Sequence, residues 1–205
     1  MPTLVIDTAT AACSVALIDG GRLVARRHEE VGRGHAERLL PMIAELPAGG
    51  RAARILVDCG PGSFTGVRVG LAAARGLALG WDVPVAAYSS LALVAASALA
   101  KRPELTRVAV VLEGGHGEVF MQLFARDLSP LGDLASLKPE AAADALGDAP
   151  AVGSGVGRLL ALRPDLDAAD ALPDAGQAWR LPPALANLPP RPLYGRAPDA
   201  KVKAA

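Results

Sequence analysis

Aromatic side chains are scarce in this sequence: Phe, Trp and Tyr together supply 3% of its 205 residues. A core without large rings has to close through small and branched side chains that approach one another closely, and the 51% hydrophobic content, rich in alanine, fits that. Excess charge is absent too, since 21 Lys and Arg balance 21 Asp and Glu. That balance excludes capture of nucleic acid or anionic membrane by the global field, so any RNA contact must be local or made by a partner. There are only two cysteines, Cys13 and Cys59, each in an apolar segment. They exclude a disulfide framework and read as reduced, buried thiols. The longest apolar run, LALVAASALA from Leu91 to Ala100, is far short of the roughly 20 residues of a membrane span. The start, MPTLVIDTAT, lacks a basic leader followed by a long apolar stretch. A cytoplasmic protein without a membrane partner is expected, long enough for one large domain or two small lobes.

What is present is an ordered series of short elements. LVID (4–7), CSVALID (13–19) and RLVARRHEE (22–30) read as three strands, with Gly20-Gly21 turning the second into the third. A helix follows from His35 to Leu46, with Leu39, Leu40, Ile43 and Leu46 on one face. ILVD (55–58) is a buried strand that ends at a glycine-rich turn. Ser63 or Thr65 caps the next helix, which runs to about Gly80. VPVAAY (83–88) is a strand, and Ser89 or Ser90 starts a helix to about Lys101. The pattern then restarts with RVAVVL (107–112), the turn GGHG (114–117) and EVFMQLF (118–124). The second copy is less complete, with a short helix at 141–146, a short strand at 149–155, and a Pro-, Asp- and Ala-rich segment from about Arg163.

Two lobes that each open with a hairpin and continue in β-α-β units resemble the actin-like ATPase (ribonuclease H-like) architecture. The expected fold is therefore α/β and two-lobed, with an N-terminal lobe over 1–102 and a reduced second lobe with a Pro-rich tail over 103–205. In such folds the two hairpin turns face each other across a nucleotide cleft. The corresponding candidates here are Asp7, Thr8 and Thr10 in the first turn and Glu113, Gly114 and Gly115 in the second. Backbone amides in turns donate to anions, and an acid at a strand end can position a hydrated metal. The first turn, Thr8 to Ala12, has no glycine to let backbone approach a phosphate. Its hydroxyls are read as stabilising their own turn, and the Gly114–His116 segment as a tight turn, so the cleft is expected to be vestigial.

IDTATAACSVAL, GHAERLLPMI, GPGSFTGVRVGLAAARGLALGWDVPV and a late PLYGRAPDAK resemble the TsaB (YeaZ) family, densely over residues 1–100 and thinly after 125. The resemblance implies a non-catalytic subunit that supports TsaD in threonylcarbamoylation of the adenosine next to the anticodon of tRNAs reading codons that begin with A. TsaE is the further partner it implies, with tRNA reached mainly through the complex and a homodimer formed when the protein is alone. It implies no obligatory cofactor, and admits ATP or ADP at the interface of the complex. Catalytic relatives carry a His-x-x-x-His pair, which puts two imidazoles one helical turn apart, as a metal site requires. Ser90 and Val94 stand at those positions, so no catalytic or metal-binding residue is assigned. An autonomous nucleotide-dependent enzyme or a metallopeptidase-like protein is the alternative.

The stretch GPGSFTGVRVGLAAARGLALG (60–80) admits two readings. As an anion nest it lacks the lysine of a P-loop, with Arg68 the nearest cation. As a packing helix it steps by four through Gly66 and Gly70 and again through Gly76 and Gly80, so that another backbone can come close. The resemblance implies that this helix and the 35–46 helix pair the protein with its partner. The expected interface is His35, Leu39 and Ile43 on the earlier helix, with Gly66, Arg68, Gly70, Ala73, Ala74 and Leu77 on the later one. Arg191, Arg196, Lys201 and Lys203 in the tail are read as solvated rather than as phosphate contacts.

Overall fold

The computed structural model describes residues 1–193 and 195. Three strands, β1 (Thr3–Asp7), β2 (Ala12–Asp19) and β3 (Arg22–Glu30), form an antiparallel meander. Helix α1 (His35–Ala44) leads to β4 (Arg54–Asp58), which pairs parallel to β1. Helix α2 (Phe64–Trp81) leads to β5 (Val85–Tyr88), parallel to β4. The first sheet therefore has the order β3-β2-β1-β4-β5, and helix α3 (Ser90–Lys101) completes the unit.

The second half repeats this series in full. β6 (Arg107–Glu113), β7 (Val119–Ala125) and β8 (Ala135–Leu137) make the meander. Then come α4 (Pro139–Ala145), β9 (Ala151–Val152), α5 (Val156–Leu160) and β10 (Ala168–Ala169). β9 pairs parallel to both β6 and β10, giving the order β8-β7-β6-β9-β10. The fold is the two-lobed actin-like α/β fold. Its second lobe is reduced in the length of its elements, not in their number. β8, α5 and β10 went unseen in the sequence because elements of two to five residues carry no measurable period.

Each copy ends in a helical segment that serves the other lobe. The apolar run at 91–100 is α3, whose Leu91, Leu93, Val94 and Ala95 are buried between the two sheets, beside Val108 and Val110 of β6. A 3-10 segment, Ala175–Arg180, crosses back onto the first sheet, where the Ser14 hydroxyl accepts from the Ala175 amide at 3.0 Å. The chain then pairs Leu188 with Ala87 at the open edge of β5 through two backbone bonds of 2.8 and 2.9 Å. Parts of the late segment, at Ala175, Leu188 and Leu193, thus bond to the first lobe.

On the outer face of the first sheet α1 and α2 cover Leu4, Ile6, Val15 and Val57. A capped helix start holds α2 in place, since the Ser63 hydroxyl accepts from the Gly66 amide at 3.2 Å. His35 begins α1 and is buried. Its Nε2 lies 2.9 Å from the Thr10 carbonyl and 3.2 Å from that of Ala12, both acceptors, so this nitrogen carries the proton. Cys13 and Cys59 are buried free thiols, and burial pushes them up to about 11 and about 12.

Candidate functional site

The β1–β2 and β6–β7 turns do face each other, across a cavity of about 560 Å³. Thr10, Glu113, Gly114 and Gly115 line it as expected, joined by Ser63 and Arg68 of α2 and by His116. The Thr10 hydroxyl accepts from the Ala12 amide at 3.3 Å, so it holds its own turn. Glu113 pairs with Arg158 at 3.4 Å. The Arg68 guanidinium stacks 3.3 Å from the Phe64 ring centroid and donates to the Phe64 carbonyl at 2.8 Å.

Asp7 and Thr8 do not reach this cavity, and their expected place among its lining is corrected. The Thr8 hydroxyl is buried and donates to the Gly66 carbonyl at 2.7 Å. Asp7 is fully buried at the end of β1, where the Tyr88 hydroxyl donates to its Oδ2 at 2.8 Å. Its neighbour is Asp58, at the end of the adjacent strand β4 and likewise buried. Asp58 accepts from the Gly60 amide at 2.8 Å and from the Ser90 hydroxyl at 2.9–3.0 Å. Burial foremost, and then the negative charge of Asp58, hold the Asp7 carboxyl well above the usual carboxylate range. Burial also raises Asp58, to about 7, against the opposing hydrogen bonds from Gly60 and Ser90. The arrangement is a sealed acid pair, with both carboxyls held above their usual range. An actin-type acid has to face the cleft to hold a hydrated metal, and Asp7 does not fit that role. Sequence reading missed Asp58 and Tyr88, although an acid closing a strand next to another acid-terminated strand was a usable signal. Among the described residues no three His, Cys, Asp or Glu side chains gather as a metal site would need.

The glycine-rich helix resolves into two faces. A methyl group at Gly66 would lie 2.1 Å from the Thr8 carbonyl oxygen, and one at Gly70 would lie 2.5 Å from the Thr8 hydroxyl. The first four-residue step therefore serves the chain's own β1–β2 turn. Of the residues expected at the interface, Gly66, Gly70, Ala74, Leu39, Ile43 and His35 are all buried within the lobe and pack inward. The outward side is a different set. Methyl groups at Gly76 and Gly80 would meet nothing, Arg68, Ala73 and Leu77 are half-buried, and Phe64, Leu79 and Leu40 are 68%, 87% and 52% exposed.

Comparison with known proteins identifies the family. The family model described as TsaD, tRNA N6-adenosine threonylcarbamoyltransferase, matches residues 27–154, more than half of the chain. The solved structure of YeaZ from Pseudomonas aeruginosa superposes with a TM-score of 0.78 at 32% identity, covering 94% of this chain and 99% of that one. The chain belongs to the TsaB (YeaZ) family. The TsaB protein of Escherichia coli is 39% identical over 132 residues, covering 62% of this chain and 56% of that protein, so the match spans little more than half the length of this curated relative. An uncharacterised protein of Mycobacterium tuberculosis is 31% identical over 220 residues, covering 97% and 93% of the two chains. In this TsaB-family chain the two positions that would bear the metal imidazoles of catalytic relatives, Ser90 and Val94, lie inside the core at 0% and 2% exposure. Ser90 is instead spent on Asp58 and on the Pro61 carbonyl, 3.1 Å away. The late PLYGRAPDAK stretch (192–201) lies mostly outside the described residues, as do Arg196, Lys201 and Lys203. No helix among the described residues is long and apolar enough to cross a membrane.

Proposed function

We propose that this chain is the non-catalytic partner of a TsaD-type subunit in threonylcarbamoylation of the adenosine beside the anticodon of tRNAs reading codons that begin with A. The observation that carries the proposal is the exposure of large apolar side chains on two neighbouring helices, Leu40 on α1 and Phe64 and Leu79 on α2, with small residues between them. Large apolar side chains left exposed mark an interaction surface, and Gly76 and Gly80 allow a partner helix to approach closely. The names of the relatives supply the pathway. The sealed acid pair and the filled positions at Ser90 and Val94 support an auxiliary role rather than chemistry carried out by this chain. On this reading the same helices close a homodimer when TsaD is absent, TsaE joins the pair, and tRNA is met through the complex in the cytoplasm. The chain needs no cofactor of its own, and ATP or ADP would bind its cleft only with groups contributed by the partners.

The test is co-purification with the cognate TsaD, followed by a transfer assay on tRNA with each protein omitted in turn. Product is expected to disappear when this chain alone is left out. Undiminished product in its absence, or turnover of ATP by the isolated chain with added metal, would refute the reading.

A further inference from the structure

A second cavity of about 390 Å³ lies on the other side of α3, between that helix, β9 and the segment that follows β10. Its size is within the range of small-molecule sites. Val94, Ala98, Leu105, Val108, Val152 and Leu172 supply the larger part of its apolar lining.

The charged groups at its mouth sort themselves by what they already bind. Arg26 is taken by Asp174. Arg102 is taken by Asp167, at 2.8 and 2.9 Å, and by Glu104 at 2.8 Å. Two opposite charges remain. The side chains of Lys101 and Asp170 are both exposed, and neither has a hydrogen bond or ion pair among the described residues. Beside them the Gln177 carbonyl accepts from Arg180 at 2.8 Å, which leaves its amide N–H groups free to donate. The Ser97 hydroxyl gives its proton to the Leu93 carbonyl at 2.9 Å, which leaves its lone pairs free to accept.

We propose that this cavity binds a free amino acid with an apolar side chain. The side chain enters between α3 and Leu172, the carboxylate is met by Lys101 and the Gln177 amide, and the ammonium by Asp170 and the Ser97 oxygen. One unpaired charge of each sign at the mouth of an apolar pocket selects a zwitterion over a simple acid or amine, because either of those leaves one rim charge unanswered. The inference is independent of the pairing role, since none of these residues lies on the exposed face of α1 and α2.

The probe is L-phenylalanine, compared with 3-phenylpropanoate, which lacks the ammonium, and phenethylamine, which lacks the carboxylate. Binding is followed on the purified full chain by ligand-observed NMR and calorimetry. L-Phenylalanine is expected to bind, and each analogue to bind roughly tenfold more weakly, as for loss of one charge-assisted contact. Lys101→Met should weaken phenylalanine by a similar factor and leave phenethylamine unchanged, with Asp170→Asn doing the reverse for 3-phenylpropanoate. Both side chains are exposed, so these variants keep the fold. Ala98→Trp should fill the cavity and abolish binding of all three compounds, with the far-UV spectrum retained. No phenylalanine binding at millimolar concentration, equal binding of an analogue, or binding that survives Ala98→Trp would each overturn the proposal.

Discussion

Adding a single methyl group at Gly66 tests what the glycines of α2 are for. An alanine Cβ at this position would lie 2.1 Å from the Thr8 carbonyl oxygen and 3.3 Å from its carbon. Both are backbone atoms of the buried β1–β2 turn, so the helix start has to move. Moving it pulls the Gly66 carbonyl from the buried Thr8 hydroxyl, now 2.7 Å away, and an unsatisfied buried hydroxyl costs about 1–3 kcal/mol. Overpacking adds about 1–3 kcal/mol, while the gain in helix propensity on replacing glycine is below about 1 kcal/mol. Taking the net loss as about 3 kcal/mol, a protein of this size should melt roughly 6–12 °C lower. Gly76 is the control on the same helix. A methyl there meets nothing, and Gly76→Ala should raise the melting point by roughly 1–4 °C through helix propensity alone. Calorimetric melts at low protein concentration, where self-association does not contribute, measure both. If Gly66→Ala melted within a degree of the parent while losing TsaD binding, the assignment of this glycine to internal packing would be refuted.

Replacing Leu79 with Glu should leave the melting point within about 2 °C, because this exposed side chain supports nothing in its own lobe; pull-down with TsaD, or sedimentation of the chain alone, should show association lost. Tyr88→Phe removes the hydroxyl 2.8 Å from Asp7 and should cost about 1–3 kcal/mol, read from chemical denaturation at pH 6. The acid pair predicts an unusual pH profile. Both carboxyls hold their protons more tightly in the folded chain than in the unfolded one. Their stabilisation is therefore complete below about pH 4, and Asp58's share is lost as pH rises through about 7, Asp7 adding a loss of the same sign. Asp58→Asn should flatten that fall relative to the parent in denaturation series from pH 4 to 8, and parallel profiles would refute it.

The strands and helices of the first lobe were legible because each is long enough to show a period and is bounded by a turn or cap: Gly20-Gly21, Ser63, Ser89. The family motifs were legible for the same reason, being contiguous in the chain. β8, α5 and β10 were not, since so short an element takes its state from the neighbouring strand it pairs with. The acid pair was half legible: Asp7 stood out, but its partner Asp58 comes from a strand 51 positions on.

Glycine spacing in α2 shows most plainly where sequence reading stops. The four-residue steps establish that something approaches the helix closely, and composition establishes that cores here close on small side chains. Which body approaches is a matter of rotation about the helix axis and of where the β1–β2 turn lies, and neither is written in a local pattern. Tertiary structure turned Gly66 and Gly70 inward onto Thr8 and left Gly76, Leu79 and Gly80 facing outward. It likewise sealed Asp7 beneath the turn it was expected to serve, because β4 and β5 bring Asp58 and Tyr88 against it. By itself the sequence determined the order of elements in the first lobe, the family and the absence of metal-spaced histidines at 90 and 94. Only the packing of distant segments decided which of its conspicuous residues face solvent, because burial depends on every element that covers a residue and not on the residues beside it in the chain.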